Sequence, residues 1–136
     1  DGAHNPHGMA ALGRALAVVG VAPAATVFAC MADKDVDELI AHVRVAAVGG
    51  PIIVPRLADN ERAMPAEELA GKIGLNAEAA PSVREALRLA AEVAADRLPE
   101  SFTEPETLHP VLVCGSLYLL GEVFALWPDL LEPVTR

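Results

Sequence analysis

Three short apolar runs, at residues 26–31 (TVFACM), 51–55 (PIIVP) and 111–115 (VLVCG), are each followed by a polar turn and then by a stretch of helical period. A run this short and this apolar, bounded by turn residues, reads as a strand buried on both faces. Strands separated by helices cannot pair as hairpins. They must lie parallel, with each helix serving as a crossover. The pattern therefore predicts an α/β fold with a Rossmann-like, mostly parallel sheet covered by helices on both faces.

The helices carry their own start and stop signals. Asn5 before Pro6 reads as an N-cap with proline in the first turn, and Met9, Leu12, Leu16 and Val19 recur at helical spacing until Gly20 and Pro23. Asp35 with Glu38 three residues on resembles a capping box, opening a helix through Leu39, Ile40 and Val43 that Gly49-Gly50 closes. Ser82 with Glu85 repeats the signal ahead of Val83, Leu87 and Ala90. A short helix is expected near 66–73. After a connection rich in Pro and Glu at 99–110, Gly115-Ser116 leads into a last helix through Leu119, Leu120 and Val123. The series opens on a helix, so its first strand is expected upstream of residue 1, in a longer chain of which 1–136 form one domain.

Charge narrows the function classes. Ten basic against nineteen acidic residues leave a net charge of −9, the wrong sign for a phosphate-backbone binder. No apolar stretch approaches the ~18 residues of a membrane span, and with no basic n-region at the start of the sequence no signal peptide is expected. Cys30 and Cys114 form no C-x-x-C pair and no disulfide framework, so a cytoplasmic, reducing compartment is the expectation. No phosphate loop of the G-x-x-x-x-G-K-[ST] type is present, and no G-x-G-x-x-G.

In an open parallel sheet the functional loops lie at the carboxyl ends of the strands. That edge would gather Asp1-Gly2-Ala3-His4-Asn5-Pro6, Ala32-Asp33-Lys34-Asp35 and Gly115-Ser116-Leu117-Tyr118. A carboxylate, an imidazole, an ammonium and a hydroxyl would share one crevice. Each also has a plainer reading. Asp1 suits a solvated loop, Asn5 a helix cap, Lys34 a solvated turn charge and Ser116 a cap of the last helix. His4 and His7 lack the further ligands a metal site requires, so no metal is expected in this domain. His42 and His109 read as structural or solvent-facing, Cys30 and Cys114 as small core residues, and Tyr118 and Trp127 as packing for the last helix.

The three loop segments also carry a resemblance. Asp1-Gly2-Ala3-His4-Asn5-Pro6 resembles the D-G-A-H-N-P signature of folylpolyglutamate synthases and bifunctional dihydrofolate synthases, of which the Mur ligases carry a close variant. Asp33-Lys34-Asp35 resembles the D-K-D turn of the folate enzymes. Gly115-Ser116-Leu117-Tyr118 is similar to their closing G-S-L-Y segment, where Mur ligases usually differ.

The resemblance implies the C-terminal domain of an ATP-dependent ligase of folate biosynthesis and one-carbon metabolism. Such an enzyme phosphorylates a carboxylate of folate or dihydropteroate, and the amine of L-glutamate then displaces phosphate to form an amide. The resemblance also implies an N-terminal ATPase domain in the same chain, carrying the phosphate loop and the ligands of Mg2+. Carried over to this sequence, Asp1 and His4 would meet ATP, with His4 also at the reacting centre. Lys34, Ser116 and Asn5 would hold glutamate. A non-catalytic nucleotide- or amino-acid-binding module, or a Mur-type peptidoglycan ligase domain, is the alternative. The segment 1–136 by itself is expected to be inactive.

Overall fold

The structure, a computed structural model, describes residues 1–97 and 109–131. Four strands form one sheet: β1 (Ala25–Phe28), β2 (Ile52–Pro55), β3 (Ala77–Ala80) and β4 (Val111–Cys114). Their order is β3-β2-β1-β4, and every neighbouring pair is parallel. Among them run α1 (Pro6–Val19), α2 (Val36–Ala47), α3 (Ala66–Ile73), α4 (Val83–Asp96) and α5 (Leu117–Leu126), followed by a 3-10 turn at Pro128–Leu131. The α/β class and the parallel sheet agree with the sequence reading.

The period-two alternation of the central strands divides the core into two layers. Phe28 of β1, with Ile52 and Val54 of β2, faces one layer with Met9 of α1, Leu39 and Val43 of α2 and Leu69 of α3. Ala25 and Val27 of β1 and Ile53 of β2 face the other, with Val83, Ala86 and Ala90 of α4 and Leu119 and Val123 of α5. Both central strands are buried along their whole length, which explains their unbroken apolar character.

Local signals decide the helix ends. The Asn5 side chain accepts from the Gly8 amide at 2.7 Å, and Gly20 closes α1 in the left-handed conformation at φ 71°. Asp35 accepts from the Glu38 amide at 3.2 Å, and Ser82 from the Glu85 amide at 3.1 Å. At the end of α2 it is Val48, ahead of Gly49-Gly50, that takes the left-handed cap, at φ 49°.

Two features differ from the expectation. β3 lies where the sequence showed only a passage between two helices. Its residues are Ala, Glu, Ala and Ala, poor strand formers, and its pairing with β2 alone makes it a strand. Tyr118 and Trp127 pack only partly against the last helix, the two residues being 53% and 43% exposed. The connection expected at 99–110 falls largely on residues outside the described ones. Among the described residues no helix is long and apolar enough to cross a membrane.

Candidate functional site

From β1 the chain winds through β2 to β3 in one direction, then returns to place β4 on the other side of β1. The turns after β1 and β4 therefore diverge in direction from adjacent strands. That leaves a crevice at their carboxyl ends, where ligands bind in open parallel sheets.

Four segments meet there. The turn after β1 carries Asp33 and Lys34, and the turn after β4 carries Gly115 and Ser116. Residues 1–4 run along the free edge of β4. The Asp1 nitrogen donates to the Val113 carbonyl at 2.8 Å, and the Gly115 amide donates to the Ala3 carbonyl at 2.8 Å. The fourth segment is the loop between β2 and α3. It pairs with the chain leaving β1 through Ala32 N to Arg62 O at 2.8 Å and Met64 N to Cys30 O at 2.9 Å, an antiparallel bridge of Met31 with Ala63.

The meeting point is a pocket of about 90 Å3. His4, Lys34, Arg62 and Ser116 supply its polar wall, and Met31, Leu117 and Tyr118 its apolar one, with Gly115 between. Two cations and an imidazole line it, and no carboxylate does among the described residues. In a chain of net charge −9, this lining is a local concentration of positive charge, offset in part by the Asp33 carboxylate paired with Arg62.

His4, Ser116 and Arg62 each have defined hydrogen-bond partners. His4 Nδ1 lies 2.8 Å from the Gly2 carbonyl. A carbonyl can only accept, so the neutral ring carries its proton at Nδ1 and leaves the Nε2 lone pair free. Ser116 is buried, and its Oγ accepts from the Tyr118 amide at 3.1 Å and the Leu119 amide at 3.4 Å. Those bonds cap α5 and use the oxygen's lone pairs, so the hydroxyl proton remains to be donated. The Arg62 guanidinium meets the Asp33 carboxylate at 3.0 Å and holds it below the usual carboxylate range; Tyr118 adds a smaller stabilisation of the guanidinium charge.

Of the residues singled out from sequence, His4, Lys34 and Ser116 come together here. Asp1 and Asn5 are not among the residues lining this pocket. One Asp1 oxygen accepts from the Ala3 amide at 2.8 Å, which shapes the loop bearing His4. Asn5 caps α1 and borders a separate groove with His7, Glu38 and His42. Arg62 and Tyr118 are lining residues that sequence reasoning passed over. Arg62 sits in what reads only as a polar loop, and a tyrosine within an apolar helix pattern reads as packing. Among the described residues no group of three or more His, Cys, Asp or Glu side chains converges to hold a metal ion.

Comparisons with known proteins agree on one family. The model of the family described as "Mur ligase, glutamate ligase domain" matches residues 1–117. Folylpolyglutamate synthase of Mycobacterium tuberculosis, solved with ADP and AMPPCP, is similar over 93% of this chain at 26% identity, with a TM-score of 0.75. The bifunctional folylpolyglutamate synthase/dihydrofolate synthase of Yersinia pestis, complexed with AMPPNP and Mn ion, matches 93% of this chain at 26% identity and a TM-score of 0.68. E. coli FolC, in complex with DHPP and ADP, shares the fold over 97% of this chain at 22% identity and a TM-score of 0.74. The chain spans 28%, 27% and 28% of those three proteins, respectively. No curated protein sequence matches.

Proposed function

The chain belongs to the Mur ligase, glutamate ligase domain family, and from that premise we propose that it is the C-terminal domain of an ATP-dependent ligase that joins L-glutamate to folate or dihydropteroate. The observation that carries this reading is the convergence of His4, Lys34 and Ser116, from three distant segments, on one small pocket whose lining, among the described residues, contains no carboxylate. Glutamate is a dianion with one ammonium, so a closed site must offset its carboxylates with fixed positive charge or suffer their desolvation.

In the proposed reaction, the terminal phosphoryl group of ATP passes to a carboxylate on the folate side, releasing ADP. The glutamate amine attacks the acyl carbon, the bond to phosphate breaks, and an amide remains as the amine loses a proton. Lys34 takes a glutamate carboxylate by a charge-assisted bond, and the Ser116 hydroxyl donates a neutral one. His4 presents a free Nε2 lone pair beside the reacting centre, where it can accept a proton. Asp1 keeps one carboxylate oxygen for the ribose of ATP, and Asn5 is assigned a lesser contact to glutamate through its amide nitrogen.

The chain spans 28% and 27% of these relatives, and the N-terminal ATPase domain that the resemblance implies is proposed for the same longer chain. The Mg2+ that accompanies ATP is assigned to that other domain, as the resemblance to the folate ligases implies. The two buried, unpaired thiols suit a reducing cytoplasm.

The test is ADP release by the full-length ligase, with the amide product followed by mass spectrometry. ADP and product should require both a folate acceptor and L-glutamate. Release that needs neither, or product formed with unrelated amino acids, would contradict the reading.

A further inference from the structure

Lys34 is one of two cations on the pocket wall, and the other is held more firmly. The backbone around Arg62 is fixed on both sides. Its carbonyl accepts from Ala32 and its amide donates to the Asn60 side chain at 3.1 Å, while Met64, two residues on, donates to Cys30. The Ala58 amide, earlier in the same loop, donates to Glu122 of α5 at 3.1 Å, tying the loop to the helix that begins at Ser116. A loop pinned to the chain leaving β1 and to α5 presents its side chain to the crevice at little ordering cost.

The guanidinium is oriented yet available. Asp33 engages Nη2 alone and Tyr118 adds only a weaker interaction, so the five-donor fork is not used up by its present partners. Both partners of the pair are more than half exposed. Such a pair is weak in water, so an arriving carboxylate that excludes water competes with it readily.

We propose that Arg62 is the second carboxylate-binding cation of the amino-acid site, so that the two carboxylates of glutamate are divided between Lys34 and Arg62. The inference rests on the glutamate reading above and adds what that reading lacks: a second positive charge for a second negative one. A planar fork facing a carboxylate also selects geometry, which a point charge on Lys34 does not. A monocarboxylate amino acid would leave one cation without its partner and would bind less well.

The experiment compares Arg62→Gln, Arg62→Lys and Lys34→Met in the full-length ligase, with KM measured for L-glutamate and for ATP and melting temperature as the folding control. Arg62→Gln should raise the glutamate KM roughly 10-fold or more, the loss of a hydrogen bond to a charged group, and leave the ATP KM and the melting temperature unchanged. Arg62→Lys should fall between, keeping the charge without the fork. If Lys34→Met raises the glutamate KM and Arg62→Gln leaves it within about twofold, Arg62 is overturned and the glutamate site stands. If neither variant moves it, the glutamate site fails and the role of Arg62 with it. If Arg62→Gln raises both constants and lowers the melting temperature, Arg62 is a structural tie and the proposal is overturned.

Discussion

A Cβ placed on Gly115 would lie 2.3 Å from the Ala29 carbonyl oxygen and 2.5 Å from the Phe28 ring. Gly115 also holds φ at +102°, a conformation that side chains rarely adopt. The chain leaving β4 thus passes against β1 at a distance only glycine permits, and this close approach brings Ser116 beside Lys34. Gly115→Ala should lower stability by at least about 2 kcal/mol, read as a drop in melting temperature of roughly 5 °C or more. An unchanged melting temperature would mean that the two turns are not packed as described.

Ser82 and Ser116 both cap a helix, Ser82 by accepting from the Glu85 amide and Ser116 from the Tyr118 and Leu119 amides, but only Ser116 lines the pocket. Ser82→Ala and Ser116→Ala should each cost about 1 kcal/mol of stability, the usual loss of an N-cap. Only Ser116→Ala should also raise the glutamate KM of the full-length ligase. Equal kinetics for the two variants would reduce Ser116 to a cap.

Asp1 separates loop shape from ligand contact. Its side chain accepts from Ala3 through one oxygen, and Asn can make the same bond through its carbonyl while losing the charge. Asp1→Asn should therefore keep the loop and weaken ATP use, whereas Asp1→Ala should lose both. Wild-type ATP KM in Asp1→Ala would remove Asp1 from the nucleotide site.

Burial pushes the Cys30 thiol up to about 11 and the Cys114 thiol up to about 12. Both should resist alkylation in the folded chain at pH 8 and react fully on unfolding. Above the ordinary thiol value of 9.0 the unfolded chain loses these protons while the folded chain keeps them. The folded state then binds more protons, so the stability contribution is present below pH 9 and is lost as pH rises through 11 to 12. Denaturant midpoints should fall accordingly. A midpoint that rises above pH 9 would contradict this placement of the thiols.

Most of the architecture is legible before any coordinates, because the informative signals are local. Asn5, Asp35, Ser82 and Ser116 each cap the helix that their spacing predicts, and the central strands read as apolar because both faces are covered. β3 is invisible to such reasoning: a tetrapeptide of Ala and Glu becomes a strand only through the free edge of β2. The site divides along the same line. His4, Lys34 and Ser116 follow from where strands end. Arg62 follows only from a backbone bridge between Met31 and Ala63, a tertiary contact with no pattern of its own. Tyr118 is misread for a related reason, since its helix is apolar on faces that the sheet does not cover.

The account turns on the claim that glutamate is held at this pocket, and Lys34 tests it most directly. Lys34→Met keeps much of the apolar stem and removes the charge, at an exposed position where the fold should be spared. Losing a charge-assisted bond costs ~1.5–3 kcal/mol. The glutamate KM of the full-length ligase should therefore rise roughly 10- to 100-fold, with the ATP KM little changed and the circular dichroism spectrum intact. A glutamate KM that stays within about twofold, well under 1 kcal/mol, would contradict the account and make Lys34 a surface charge.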